Sequence, residues 1–390
     1  MRWIYMCIAV LVFSLFQPGI LPGQSRLEGL LRDVAAEFRK QMEKEKIVGG
    51  ALVILNRDRV LLKEHYGWAN EEKKIPASDR TIYVWGSITK TMTCIAAMQL
   101  QWKGRLRIDD PLVDYIPSFR NIDNPFGNTE QITLKMIMSH TAGLQNASFI
   151  IPLSWHGVWP RWEQLEPVFN YMKVEYPPGS RYSYSNFGLL LIGRVIEVVT
   201  RDDYETYMDK NIFKPLRMYD SYFDTTPYHL LKFKAQGYYK YEEGKPRKLY
   251  HPDVDQGVTT SNGGLKSSIA DFCKYVRFLL GSTDSQQQAV YDGVLPRKIL
   301  ESMWQPVHPL PDPEKGSIGL GFHIYTDLKY RYIGHTGSAN GFISQMMLHP
   351  ESGVAFFSVG NTENMRAVNR SIRRYIDEHL MPVLIGETGR

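Results

Sequence analysis

Cysteine is scarce in this chain, with three residues in 390. Cys7 falls in an N-terminal apolar run, and Cys94 and Cys273 sit in stretches of helical spacing among apolar neighbours. That excludes a fold built on disulfides and makes each of the latter two a small core residue. There is no C-x-x-C pair and no H-E-x-x-H, and none of the ten histidines stands at metal-ligand spacing. Neither a metal nor any other cofactor is expected. No serine centres a G-x-S-x-G, which removes the strained strand-to-helix turn of one large hydrolase class. Blocks of like charge are missing too. The 46 basic and 41 acidic residues give a net charge of +5 and are interspersed, as in Glu43-Lys44-Glu45-Lys46 and Glu71-Glu72-Lys73-Lys74. Such runs are solvated faces, so no nucleic-acid partner is expected. Internal repeats and low-complexity stretches are absent as well.

No apolar run reaches the roughly 20 residues of a spanning helix. The longest, Ile4 to Phe16, follows Met1-Arg2 and stops at Gln17-Pro18-Gly19. With the small residues Gly23 and Ser25 behind it, this is the pattern of a secretory signal peptide over residues 1–25, and the mature protein is expected outside the cytoplasm. An uncleaved N-terminal anchor is the alternative.

What remains is ordinary globular composition, 43% hydrophobic and 22% charged, enriched in tyrosine (23 residues). Its length suits one large domain or two interlocked ones. Arg26 to Lys46 has helical spacing of apolar residues. Ile47–Leu55 and Val60–Trp68 predict a hairpin. Near residue 118 the strand signals fade into short helices and aromatic loops, then return near 251. The organisation predicted is an α/β part (26–117 and 251–390) with an inserted, mostly helical subdomain (118–250). The insert holds a helix over Asn186–Thr200, another over Asp202–Phe213, and a loop with Trp155, Trp159 and Trp162 that either walls a pocket or packs the subdomain. Phe233 to Tyr250, lysines interleaved with tyrosines, is expected as a twisted hairpin rather than a binding surface. Gly319–Tyr325, Arg331–Gly334, Ile343–His349 and Gly353–Val359 predict an antiparallel meander, and Arg366–Leu380 a closing amphipathic helix. The fold class expected is α+β: an antiparallel sheet flanked by N- and C-terminal helices.

Three stretches carry chemistry. In Ser87-Ile88-Thr89-Lys90, at the start of a helix apolar nearly all round, residues three apart share a face, so the Lys90 amine can reach the Ser87 hydroxyl. Such a lysine, once burial lowers its pKa, can activate the serine, and the helix N-terminus points N–H groups at a developing oxyanion. Taken alone, Ser-x-x-Lys fits a capped helix with a surface lysine equally well. In Tyr182-Ser183-Tyr184-Ser185-Asn186, Tyr184 can relay a proton or act as base, and the Asn186 amide can hold a carbonyl. In Gly334-His335-Thr336-Gly337-Ser338, alternation puts His335 and Gly337 on one side of a strand and Thr336 on the other. Gly337 leaves room for another backbone, and the Ser338 N–H can join that of Ser87 in an oxyanion hole.

In this order and separation the three stretches resemble the serine β-lactamases and penicillin-binding proteins, in particular the class C β-lactamase-like branch. Ser139-His140-Thr141-Ala142-Gly143-Leu144, Pro177-Pro178-Gly179 and Gly263-Gly264-Leu265 look like the family too, and the resemblance covers residues 30 to 380. It implies Ser87 as acylated nucleophile, Lys90 as the group that deprotonates it, and Tyr184 as proton shuttle. Asn186 would bind the acyl side chain's amide, His335 and Thr336, followed by Gly337 in the motif, would face the substrate or its carboxylate, and the Ser338 N–H would complete the oxyanion hole. His140 is implied to be structural, a satisfied histidine. Class C β-lactamases carry lysine where this chain has His335, which weakens a carboxylate clamp and looks more like the D-alanyl-D-alanine carboxypeptidases, esterases and D-aminopeptidases. The function implied is a serine hydrolase acting on a small-molecule or peptide substrate: a D-alanyl peptide first, then an ester, amide or β-lactam. A non-enzymatic penicillin-binding sensor is the alternative outside enzymes.

Overall fold

The computed structural model describes residues 22–146, 161–243, 247–250 and 256–388. The predicted leader lies outside them except for Pro22–Ser25, and so do Trp155 and Trp159. The strands are β1 (Gly49–Asn56), β2 (Val60–Asn70), β3 (Ile75–Pro76), β4 (Ile82–Val84), β5 (Ser221–Tyr222), β6 (Lys266–Ser268), β7 (His308–Pro309), β8 (Gly316–Ile318), β9 (His323–Tyr325), β10 (Tyr332–Ala339), β11 (Phe342–His349) and β12 (Val354–Gly360). Nine of them form one antiparallel sheet in the order β3-β2-β1-β12-β11-β10-β9-β8-β7. The predicted hairpin and meander thus join edge to edge: β1 pairs with β12 from Gly50↔Gly360 to Asn56↔Val354. The central strands β1, β11 and β12 are buried along nearly their whole length because both their faces are covered.

Two helical layers do the covering. Helix α1 (Pro22–Lys44) and the C-terminal helix pack on one face, where Phe38 and Met42 meet Leu52, Ile54, Phe356 and Ile372. The opposite face buries α2 (Thr89–Trp102) behind Ala51, Val53 and Phe357. After α2 come α3 (Leu134–Met138), α4 (Trp162–Leu165), α5 (Asn186–Thr200), α6 (Tyr204–Met208), α7 (Thr260–Gly263), α8 (Ile269–Leu280), α9 (Ser285–Val294), α10 (Arg297–Ser302), α11 (Met365–Tyr375) and α12 (Met381–Thr388). Helix α8 is capped at its start by Ser268, whose hydroxyl accepts from the Asp271 N–H. The described part of residues 118–250 shares one apolar core with the sheet: Phe119, Phe169 and Phe187 belong to the same cluster as Trp85 and Phe357.

Several elements depart from expectation. The predicted strand Gly319–Tyr325 begins only at His323, because Gly321 turns the chain at φ +75° and Gly319 N–H closes on Phe322 O. A small sheet, β4-β6-β5, links the helical block to the rest, and its strands are too short to show a period. Asp202–Phe213 splits into α6 and a π-turn over Asp209–Phe213. Among the described residues, the expected hairpin near Tyr238–Tyr250 is reduced to a short antiparallel contact, with the bridge Tyr238↔Leu249, Tyr239 N–H donating to Lys248 O, Tyr250 N–H donating to Gly237 O, and stacked rings of Tyr239 and Tyr250.

Candidate active site

The nucleophile candidate sits where the chain passes from β4 to α2. Trp85 fixes that passage. Its ring stacks on Phe272 with centroids 3.4 Å apart, its Nε1–H donates to Ser267 O, and its carbonyl accepts from the Ser344 hydroxyl. A 3-10 turn over Gly86–Ile88 follows and carries Ser87, half-buried between buried neighbours. Helix α2 is buried from Thr89 to Leu100, and its polar side chains are all tied internally or to neighbours. Thr89 accepts from Leu265 N–H, Thr93 donates to Ser261 O, and Gln99 donates to Val294 O.

Lys90, fully buried on that helix, donates to Ser87 Oγ at 3.0 Å and to Asn262 O at 2.6 Å. Burial disfavours its ammonium and pulls its pKa down to about 7. Its nitrogen also lies 5.1 Å from the centroid of the Tyr184 ring. Tyr184 hydrogen-bonds Ser87, yet burial outweighs that bond and pushes the phenol above its ordinary value. Ser87, Lys90 and Tyr184 therefore converge, with a near-neutral amine and a protonated phenol at one hydroxyl.

The third stretch closes the site from the sheet side. Gly86 and Gly337 let the serine turn and β10 meet backbone to backbone: a Cβ on Gly86 would stand 2.6 Å from Ser338 N, and one on Gly337 2.0 Å from Trp85 O. The close approach foreseen at Gly337 is thus made by the segment carrying Ser87. His335, at 2% exposure, donates from Nδ1–H to Thr336 O at 2.6 Å, since a carbonyl can only accept. Burial holds its pKa well below the usual histidine value, helped by His323 and Lys90, so it is a neutral imidazole. Thr336 is exposed on the other face of β10, lining a cleft with Arg366, Arg370 and Arg373. It does not share the face of His335.

Asn186 opens α5, where Ser185 caps the helix by accepting from Gly188 N–H. The Asn186 amide donates to Asn146 Oδ1 at 3.2 Å, so the two asparagines act as a pair. His140 is half as satisfied as expected. Its Nδ1 accepts from Ser185 N–H at 3.2 Å, but its buried Nε2 has no partner among the described residues. Trp162 is buried in the helical core, with Arg194 over its ring.

Sequence reasoning missed His323 and Tyr182. The Tyr182 hydroxyl and His323 Nε2 are 3.0 Å apart, and His323 meets His335 edge to face at 5.0 Å. The pairing Gly334↔His323 puts that ring beside His335, a neighbour that only the register of the meander could have revealed. It missed Asn146 and the Asn262 carbonyl as well, because neither belongs to a spaced motif. Among the described residues no group of His, Cys, Asp and Glu side chains is placed to hold a metal ion.

Comparison with known proteins gives the family and the fold. The Beta-lactamase family model matches residues 34–381. Protein flp of Staphylococcus aureus (strain NCTC 8325 / PS 47) is 26% identical over 323 residues, which are 82% of this chain and 61% of that protein. The chain thus spans about three-fifths of the length of that relative. The putative penicillin-binding protein PbpX of Bacillus subtilis (strain 168) is 26% identical over 86% of this chain and 77% of its own length. The octameric penicillin-binding protein homologue from Pyrococcus abyssi superposes with a TM-score of 0.71 at 26% identity, covering 90% of this chain and 79% of that one. The antiparallel sheet between helical layers is the β-lactamase/transpeptidase fold, and the chain is a member of the β-lactamase family.

Proposed function

We propose that the protein is an exported hydrolase that forms an acyl-enzyme on Ser87, with D-alanyl peptides or closely related small amides and esters as acyl donors. The contact that carries this reading is the one between Lys90 Nζ and Ser87 Oγ, 3.0 Å, made by an amine that burial has brought to about 7. Neutral Lys90 takes the Ser87 proton as Oγ attacks the carbonyl. The N–H groups of Ser87 and Ser338 stabilise the oxyanion from the two backbones that Gly86 and Gly337 bring together. Tyr184, hydrogen-bonded to Ser87 and kept protonated, relays the proton from Lys90 to the leaving atom and serves as a relay rather than as a phenolate base. Water then attacks the ester with the same groups in reverse. The basic residue and apolar run at the N-terminus support export.

Ser87→Ala should abolish covalent labelling by a fluorescent penicillin or a fluorophosphonate. Labelling that persists on the variant removes Ser87 as nucleophile. An acyl-enzyme formed from a D-alanyl peptide or a short ester on the native protein that never clears supports the sensor reading instead.

A further inference from the structure

Five rings close a circuit beside the serine: His140, Tyr182, His323, His335 and Tyr184, with successive centroids 5.9, 6.0, 5.0, 6.4 and 4.5 Å apart. Hydrogen bonds to the backbone fix the proton positions on two of them. His140 Nδ1 accepts from Ser185 N–H, so its Nε2 bears the hydrogen. His335 Nδ1 donates to Thr336 O, so its Nε2 is a bare lone pair. Both Nε2 atoms are buried and without a partner among the described residues, and both rings flank Tyr184. A buried acceptor left empty is costly, so such a nitrogen marks where a bound molecule puts a donor.

Which part of the substrate arrives there follows from the phenol. The group that hands a proton to the leaving atom must face it, so the rings beside Tyr184 face the leaving side of the scissile bond. We infer that His335 Nε2 accepts a hydrogen bond from the N–H of the leaving nitrogen, and that the site is selective for secondary amides, peptides above all, over the matching esters. This deepens the hydrolase reading and rests on it. In acylation the Ser87 Oγ–C bond forms and the C–N bond breaks. The nitrogen keeps its own hydrogen, which it only donates as a hydrogen bond to His335, and gains the Ser87 proton through Lys90 and Tyr184, departing as a neutral amine. An ester oxygen brings no hydrogen, and with it the His335 lone pair stays empty. Discrimination of this kind is strong because the buried group, not the ligand, bears the penalty.

The test is a matched pair: an N-acyl-D-alanyl-D-alanine peptide and its depsipeptide with D-lactate in the last position. Both kcat/KM values are measured for the native chain, His335→Leu, His335→Asn and His335→Gln, with a thermal melt confirming that each is folded. In His335→Leu and His335→Asn, which lack an acceptor at the place of Nε2, the amide should lose about tenfold to a hundredfold more than the ester. In His335→Gln, whose Oε1 reaches that place, the native ratio should return to within about threefold. A ratio that stays the same in the Leu and Asn variants overturns the inference while Ser87 labelling still stands. Native protein that turns over neither substrate and takes no label at Ser87 overturns both readings.

Discussion

At Lys90 one side chain meets two opposed demands. A charged ammonium would be the better partner for Asn262 O, at 2.6 Å, but only the free amine can take a proton from Ser87. Burial settles the balance near pH 7. Below that value the amine is protonated and idle. The rate of Ser87 acylation should therefore rise about tenfold per pH unit up to neutrality and flatten above about pH 8. His335 and His140 are held neutral, and His323, lowered to about 4 by burial and then by Lys90, titrates well below this limb. Stopped labelling with a fluorophosphonate between pH 5 and 9 measures the limb, and a flat profile would remove Lys90 as the base. Stability carries the matching sign. Between about 7 and the ordinary lysine value of 10.5, the unfolded chain holds a proton that the native one lacks, so stability gains with rising pH. The same window should be missing from the melting curves of Lys90→Met.

The 3-10 turn of Ser87 and strand β10 form one device, because neither positions a substrate without the other. Gly337 is where they touch. A methyl there would meet Trp85 O at 2.0 Å and Ser344 Oγ at 2.4 Å, and the first of these is backbone that Phe272 and Ser267 hold in place. Gly337→Ala should cost about 1–3 kcal/mol in urea unfolding, and acylation of the folded protein should fall by at least tenfold as β10 is pushed off the serine turn. Unchanged acylation in a folded Gly337→Ala would dissolve the device. Elements of this kind were legible where a period or a glycine announced them. Helix α5 begins and ends at the residues its apolar spacing predicts, and Gly337 was expected to meet a backbone. Strands β4 to β6 were not legible, because two or three residues carry no alternation. Nor was the tautomer of His335, which depends on a carbonyl one residue along its own strand.

At the scale of the whole molecule, the first and last strands of the sheet in chain order, β1 and β12, are tied in one place. Asn361, buried just past β12, accepts from Gly49 N–H at 2.8 Å and donates to Trp68 O at 3.0 Å, while Thr362 Oγ1 accepts from Val48 N–H at 3.0 Å. The partners Gly49 and Asn361 are 312 residues apart, so the β1–β12 ladder can form only after most of the chain is collapsed. Asn361→Ala leaves a buried N–H and a buried carbonyl with nothing to bond, which should cost about 2–5 kcal/mol in denaturant unfolding. Asn361 touches none of Ser87, Lys90 or Tyr184, so the acylation rate of the folded fraction should stay at the native value. Refolding should slow along with the loss of stability if the Asn361 contacts are already made in the transition state, and unfolding should quicken instead if they close last. Because these bonds link strands that lie on opposite sides of the central ladder, a single cooperative transition is expected in both proteins. An early unfolding step confined to α1, β1 and β2 in Asn361→Ala would mean that the sheet is two weakly joined halves, not one continuous platform beneath the site.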